Sequence, residues 1–173
     1  IHYTETKNLN EAINLLTSKT RRVSCHYIID LDGSIYNLVD VDHRAWHAGE
    51  SKWKRSEDIN SRSIGIEIVN PGEISYKKYK KKQISSLVKL LIKLKKKFKI
   101  ANNKILGHSD IAPLRKIDPG KHFPWKVLSE NSLGIWVDEK ISNLPLDKRQ
   151  LNTLLKNLKR IGYPYIKDEK FTQ

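Results

Sequence analysis

The stretch IGIEIVN, residues 64–70, sets Ile64, Ile66 and Ile68 against Gly65, Glu67 and Val69, the period-two alternation of a β-strand. Glu67 therefore points away from the isoleucine face. A carboxylate between apolar residues of a short strand is costly to bury unless it is paired or used; the other reading is a partly exposed face with a lysine nearby. Upstream, CHYIID (25–30) and SIYNLV (34–39) are β-rich runs joined through Asp32-Gly33, a hairpin signal that asks for positive φ at both turn positions. IHYT (1–4) reads as the end of another strand. Asn10 to Ser18, with Ala12, Ile13, Leu15 and Leu16 on one face, reads as a short helix.

Downstream, Gln83 to Lys99 has the clearest helical period, with Ile84, Leu87, Val88, Leu91, Leu94 and Phe98 at three- and four-residue spacing and lysines on the other side. Lys104 to Gly107 is expected to be a short strand feeding GHSDIAPLRKIDPGKHFPW (107–125), a segment rich in proline, charge and histidine. Between the central strand and the hairpin, HRAWHAGESKWKRSEDINSR (43–62) is a long polar loop, and loops of that length in a compact domain tend to be functional or disordered. Leu146 to Tyr163 forms a separate amphipathic helical stretch using Leu151, Leu154, Leu155, Leu158 and Ile161.

At 173 residues with 38% hydrophobic content, the chain suffices for one well-buried domain and a short appendage, not for a second catalytic domain. The sequence contains no methionine, so initiation is expected upstream of Ile1. Cys25, the one cysteine, cannot form an intramolecular disulfide and reads as a small buried hydrophobe. No stretch approaches the length of a membrane span. The formal charge of +14 favours acidic partners. Lys77, Lys78, Lys80 to Lys82, Lys95 to Lys97 and Lys99 concentrate it, either as the solvated side of a helix or as a face for peripheral contact with an anionic envelope. Nucleic-acid binding lacks a reader motif or an aromatic-interleaved platform. Nothing in the sequence sets an oligomeric state.

Among six histidines, His108 lies at an expected strand end, and Asp118 follows ten residues on in a loop with Pro113, Pro119 and Gly120. Catalytic zinc takes three protein ligands, usually imidazole, carboxylate or thiolate, and His2, on another expected strand, is a candidate third. Spacing alone leaves these histidines equally open to ordinary hydrogen-bonded roles.

IHYTE, VSCHYIID, AWHAG, SIGIEIVN and GHSDIAPLRKIDPG follow one another in the order and approximate spacing of the N-acetylmuramoyl-L-alanine amidases of the AmpD and AmiD type, and the chain resembles that family over roughly residues 1–125. The resemblance implies an α/β fold shared with peptidoglycan recognition proteins, a central mixed β-sheet flanked by α-helices, with a short helical C-terminal extension. It implies a catalytic domain over 1–140 and an extension over 141–173 packed on it. It implies one Zn2+ held by His2, His108 and Asp118, with Glu67 as general base and Lys116 as a stabiliser of the oxyanion. The substrate implied is peptidoglycan or a muropeptide, cut between N-acetylmuramic acid, or its 1,6-anhydro form, and L-alanine during wall turnover and recycling.

Weaker expectations surround that core. Arg115 is placed to grip a stem-peptide carboxylate, or to make a structural salt bridge. Trp46 and His47 fall near the implied groove, where they contact substrate or simply pack. Asp110 braces the His108 loop, and His26 reads as a supporting or core histidine. A non-catalytic peptidoglycan-binding module of the same fold is the alternative, although such modules typically lose a zinc ligand and none is lost here. The AmiD-like branch, with its helical extension, points to the cell envelope, periplasmic or membrane-anchored; the AmpD-like branch is cytoplasmic.

Overall fold

The computed structural model describes residues 1–75, 77–138 and 145–163. Four short strands, β1 (His2–Tyr3), β2 (Tyr27–Ile29), β3 (Ile35–Asn37) and β4 (Ile66–Ile68), form one sheet in the order β1-β4-β2-β3. β4 runs parallel to both β1 and β2, while β3 is antiparallel to β2, so the sheet is mixed as the resemblance implies. The helices are α1 (Leu9–Leu16), α2 (Lys81–Phe98), α3 (His108–Ile111), α4 (Trp125–Glu130) and α5 (Lys148–Ile161).

The two faces of β4 serve two layers. Ile66 and Ile68 pack with Ile29 against Ile84, Leu87, Leu90, Leu91 and Leu94 of α2, each buried apolar side chain contributing about 1.5–3 kcal/mol. Val69, with Ile28 and Cys25, packs against Ala12 and Leu16 of α1. Phe98, the last residue of the α2 stripe, is 39% exposed because it lies beyond the sheet. Gln83 docks the start of α2: its Nε2 donates to the Val69 carbonyl at 2.8 Å, and its Oε1 accepts the Lys80 N–H at 3.1 Å. Asn8 caps α1, its Oδ1 accepting the Glu11 N–H at 3.0 Å.

Two local expectations change. The hairpin holds, but only Gly33 has positive φ, at 91°; the Gly33 N–H donates to Asp30 O at 3.0 Å and the Asp30 N–H to Ser34 O at 2.9 Å. That pattern is a three-residue loop closed by a left-handed glycine, with less strain on Asp32 than a two-residue turn. Residues 104–107 form no strand. Asn102–Lys104 is a single 3-10 turn, and the segment after it meets the start of β1 through two backbone bonds among the described residues: the Ile1 nitrogen donates to Leu106 O at 2.7 Å and the His108 N–H to Ile1 O at 3.3 Å. His108 accordingly opens a short helix instead of ending a strand.

Asp147 caps α5, its Oδ1 accepting the Gln150 N–H at 2.7 Å. Leu155 is buried there, whereas Leu154 and Ile161 are 40% and 42% exposed, so the apolar stripe is only partly covered. The end of α5 is tied down firmly. Gly162 O accepts the Lys54 N–H at 2.8 Å, and Tyr163 stacks edge-on against Trp53 at 5.1 Å. Parts of the expected extension, residues 141–144 and 164–173, lie outside the described residues. No helix among the described residues is long and apolar enough to cross a membrane.

Candidate metal centre

Strand register builds the first half of the site. His2 on β1 pairs with Glu67 on β4, so both side chains leave the sheet on one face, opposite the isoleucines. The 107–120 segment delivers the second half. The Asp110 carboxylate accepts the Gly107 N–H at 2.7 Å, and the Ser109 N–H donates to Asp118 O at 2.9 Å, which folds the loop so that His108 and Asp118 face each other.

His2 Nδ1, His108 Nδ1 and Asp118 Oδ2 form a triangle with edges of 3.0, 2.8 and 3.2 Å, and all three residues are buried. These donors, His2 more than a hundred residues before the other two in the chain, could hold a metal ion. Burial, reinforced by the nearby amino terminus, lowers the His2 imidazole to about 3, leaving it neutral with a lone pair. Burial pushes the Asp118 carboxyl up, but the two imidazoles that face it, His108 and His2, outweigh it and hold the group below the usual carboxylate range. The site thus offers two imidazoles and one carboxylate. His108 Nε2 lies 2.9 Å from Ala48 O, to which only an N–H can donate, so the lone pair of that ring sits on Nδ1.

Glu67 is buried, and its Oε2 has no hydrogen-bond partner among the described residues. Burial first, then the Asp118 charge, raises its carboxyl to about 8, with Lys116 pulling the other way. Lys116 is half-buried beside Ser109 and Ile117. A pH dependence follows for the metal-free protein. Between 4.5 and about 8 the unfolded chain has lost the Glu67 proton while the folded chain keeps it, so stability falls as pH rises through that window. His2 and His47, whose pKa values are lowered, act in the opposite sense below about 6.5 and are silent above it. The buried Ile1 amine, lowered from 8.0 by burial, opposes the Glu67 effect up to about 8, so urea midpoints of the metal-free protein should fall from pH 6.5 to 8 relative to those of Glu67→Gln; equal slopes in the two proteins would refute the assignment.

The remaining expected residues are placed as follows. Arg115 Nη2 donates to two backbone carbonyls, Ala48 at 2.8 Å and Glu50 at 2.7 Å, which clamps the 43–62 loop beside His108. Trp46 is 52% exposed, with the Arg44 guanidinium 5.1 Å above its ring. His47 is half-buried, Nδ1 lying 3.2 Å from His2 Nε2 and Nε2 lying 3.3 Å from Ser63 Oγ. His26 bridges two backbones, Nε2 to His43 O at 3.0 Å and Nδ1 from the Gly65 N–H at 3.0 Å. Asp110 braces the loop and also accepts the Tyr163 hydroxyl at 2.5 Å, linking the end of α5 to the His108 turn.

Sequence reading passed over Asn60 and Ser63. Asn60 is 7% exposed, and its Oδ1 accepts the His47 and Ala48 N–H groups at 2.9 and 2.8 Å, pinning the loop that carries both. Neither residue belongs to a periodic pattern, so no signal short of the tertiary contacts marks them.

The family described as N-acetylmuramoyl-L-alanine amidase matches residues 1–121. The N-acetylmuramoyl-L-alanine amidase AmiD of Escherichia coli is 35% identical, over 94% of this chain and 65% of its own length. The 1,6-anhydro-N-acetylmuramyl-L-alanine amidase AmpD of Haemophilus influenzae is 41% identical, over 61% of this chain and 56% of its own. The chain thus spans under two thirds of the length of either relative. Among solved structures, the complex of AmiD from E. coli with the substrate anhydro-N-acetylmuramic acid-L-Ala-D-gamma-Glu-L-Lys superposes with a TM-score of 0.82 at 31% identity, covering 99% of this chain and 72% of that one.

Proposed function

The chain belongs to the N-acetylmuramoyl-L-alanine amidase family, and from that premise we propose that it hydrolyses, with zinc, the amide bond between N-acetylmuramic acid, or its 1,6-anhydro form, and the L-alanine of a peptidoglycan stem peptide. The observation that carries this reading is the buried triangle of His2, His108 and Asp118 with Glu67 in register beside it, its Oε2 without a hydrogen-bond partner among the described residues. Two imidazoles and a carboxylate are a catalytic zinc set, and tetrahedral ligands about 2.0–2.1 Å from the ion stand about 3.4 Å apart. Edges of 2.8–3.2 Å are close to that spacing.

Zinc bound there supplies Lewis acidity, polarising the scissile carbonyl and making water a nucleophile at neutral pH. The chain's own groups supply the rest. Glu67 takes the proton of the attacking water and passes it to the departing alanine nitrogen, a role suited to a buried carboxylate raised towards neutrality. Lys116, whose positive charge reaches Glu67, offsets the negative charge that develops on the carbonyl oxygen. Arg115, anchored to backbone through one nitrogen, has further N–H groups for a stem-peptide carboxylate, and the exposed Trp46 offers an apolar face to sugar. Residues 1–140 act as the catalytic domain and 141–173 as an extension, a division supported by its described part, where Tyr163 contacts Trp53 and Asp110. AmiD aligns over 94% of the chain against 61% for AmpD, so α5 belongs to the likeness, which supports the AmiD-like branch and a place in the cell envelope.

Zinc content of the purified protein, with product analysis of muropeptides incubated with and without a chelator, tests the proposal. Near one zinc per chain and chelator-sensitive release of free stem peptide are expected. Bound zinc without cleavage would favour a non-catalytic binding module instead.

A further inference from the structure

The AWHAG and SIGIE segments, separate in sequence, meet behind the metal centre, and their meeting orders protons. Ser63 has one hydroxyl proton, donated to Ile59 O at 2.6 Å. Towards His47 Nε2, 3.3 Å away, Ser63 Oγ can therefore only accept, so His47 carries its proton on Nε2 and a lone pair on Nδ1. His2 Nε2, 3.2 Å from that lone pair, is then the nitrogen placed to donate to it. With the proton there, His2 Nδ1 presents its lone pair to the triangle; without a metal the Asp118 carboxylate, 2.8 Å away, pulls the proton towards Nδ1 instead, so His47 acts against that pull.

We propose that His47, oriented by Ser63, is a positioning residue that sets the tautomer of His2 and thereby presents Nδ1 as a metal donor, rather than a contact for substrate. This rests on the reading of His2 as a metal ligand. The surrounding packing is built for it. A Cβ on Gly65 would lie 2.3 Å from His47 Cγ, so the imidazole sits flat on a backbone that only glycine leaves open. The His47 ring is also edge-on to His2 at 5.2 Å and to His26 at 5.8 Å, and its backbone N–H is held by Asn60 at 2.9 Å. His108 reaches the same tautomer by a shorter route, through Ala48 O. Outer partners that fix a ligand imidazole typically change metal affinity by about 10–100-fold when removed.

The test combines two readouts that do not depend on turnover. Long-range proton–nitrogen NMR of the metal-free protein reports each imidazole tautomer, with the Nε2–H form expected for His47. Zinc dissociation constants, measured by competition with a chromophoric chelator, should weaken about 10–100-fold in Ser63→Ala and in His47→Leu. His47→Asn, whose side-chain oxygen can accept from His2, should recover most of the loss. An Nδ1–H tautomer on His47, or zinc affinities in Ser63→Ala and His47→Leu equal to the parent, would overturn the proposal. Ser63→Ala removes a single oxygen, so the test stands even if His47→Leu does not fold. A parent protein that binds no zinc would instead sink the ligand reading of His2, while the NMR result still judges the relay.

Discussion

Replacing Glu67 with glutamine is expected to lower muropeptide turnover by about 10²–10⁴-fold, the range that a positioned general base contributes, while zinc remains bound near one per chain. The substitution keeps the size and shape of the side chain and removes only its capacity to take and return a proton. That separation is feasible because Glu67 stands beside the donor triangle without being part of it. Its Oε2 has no internal partner among the described residues, and burial raises its carboxyl to about 8, both features of a group reserved for proton transfer rather than for an ion pair. Turnover within a few-fold of the parent, with zinc in place, would remove Glu67 from the mechanism. The alanine variant is a weaker test because it also opens a cavity beside His2.

Asp118→Ala should have the larger structural consequence. It removes the one anionic donor and leaves two imidazoles, short of the three protein ligands of a catalytic zinc site. Zinc content is expected to fall towards zero at micromolar metal, and hydrolysis to background. Stability offers an independent reading. In the parent, zinc at a hundred times its dissociation constant adds about 2.7 kcal/mol through binding to the folded state alone, which raises the melting temperature. The variant should show no such rise. A melting temperature that still climbs with zinc in Asp118→Ala would mean that the metal sits elsewhere.

Much of this protein was readable along the chain. The alternation of residues 64–70 and the three- and four-residue period of α2 each report which side of a segment faces the interior, and the two apolar faces meet in the structure. α4 escaped notice because its six residues, entered through Phe123-Pro124, are too few to show a period. Residues 104–107 misled because a short apolar run satisfies strand and extended loop alike, and only the two hydrogen bonds to Ile1 distinguish them. At the site, spacing alone could nominate His2, His108 and Asp118 without choosing them over ordinary histidines; the order of five motifs made the choice.

By itself, then, the sequence determined the longer periodic elements, the face on which Glu67 lies and, through family likeness, the side chains that converge. Tertiary structure alone decided how they serve one another. The register pairing His2 with Glu67, the diversion of Arg115 onto the carbonyls of Ala48 and Glu50, and the line from Ile59 through Ser63 and His47 to His2 join segments that share no local pattern. The reason is physical. Periodicity records burial relative to a segment's own axis, whereas the position of a proton on an imidazole depends on which acceptor the fold places across from it.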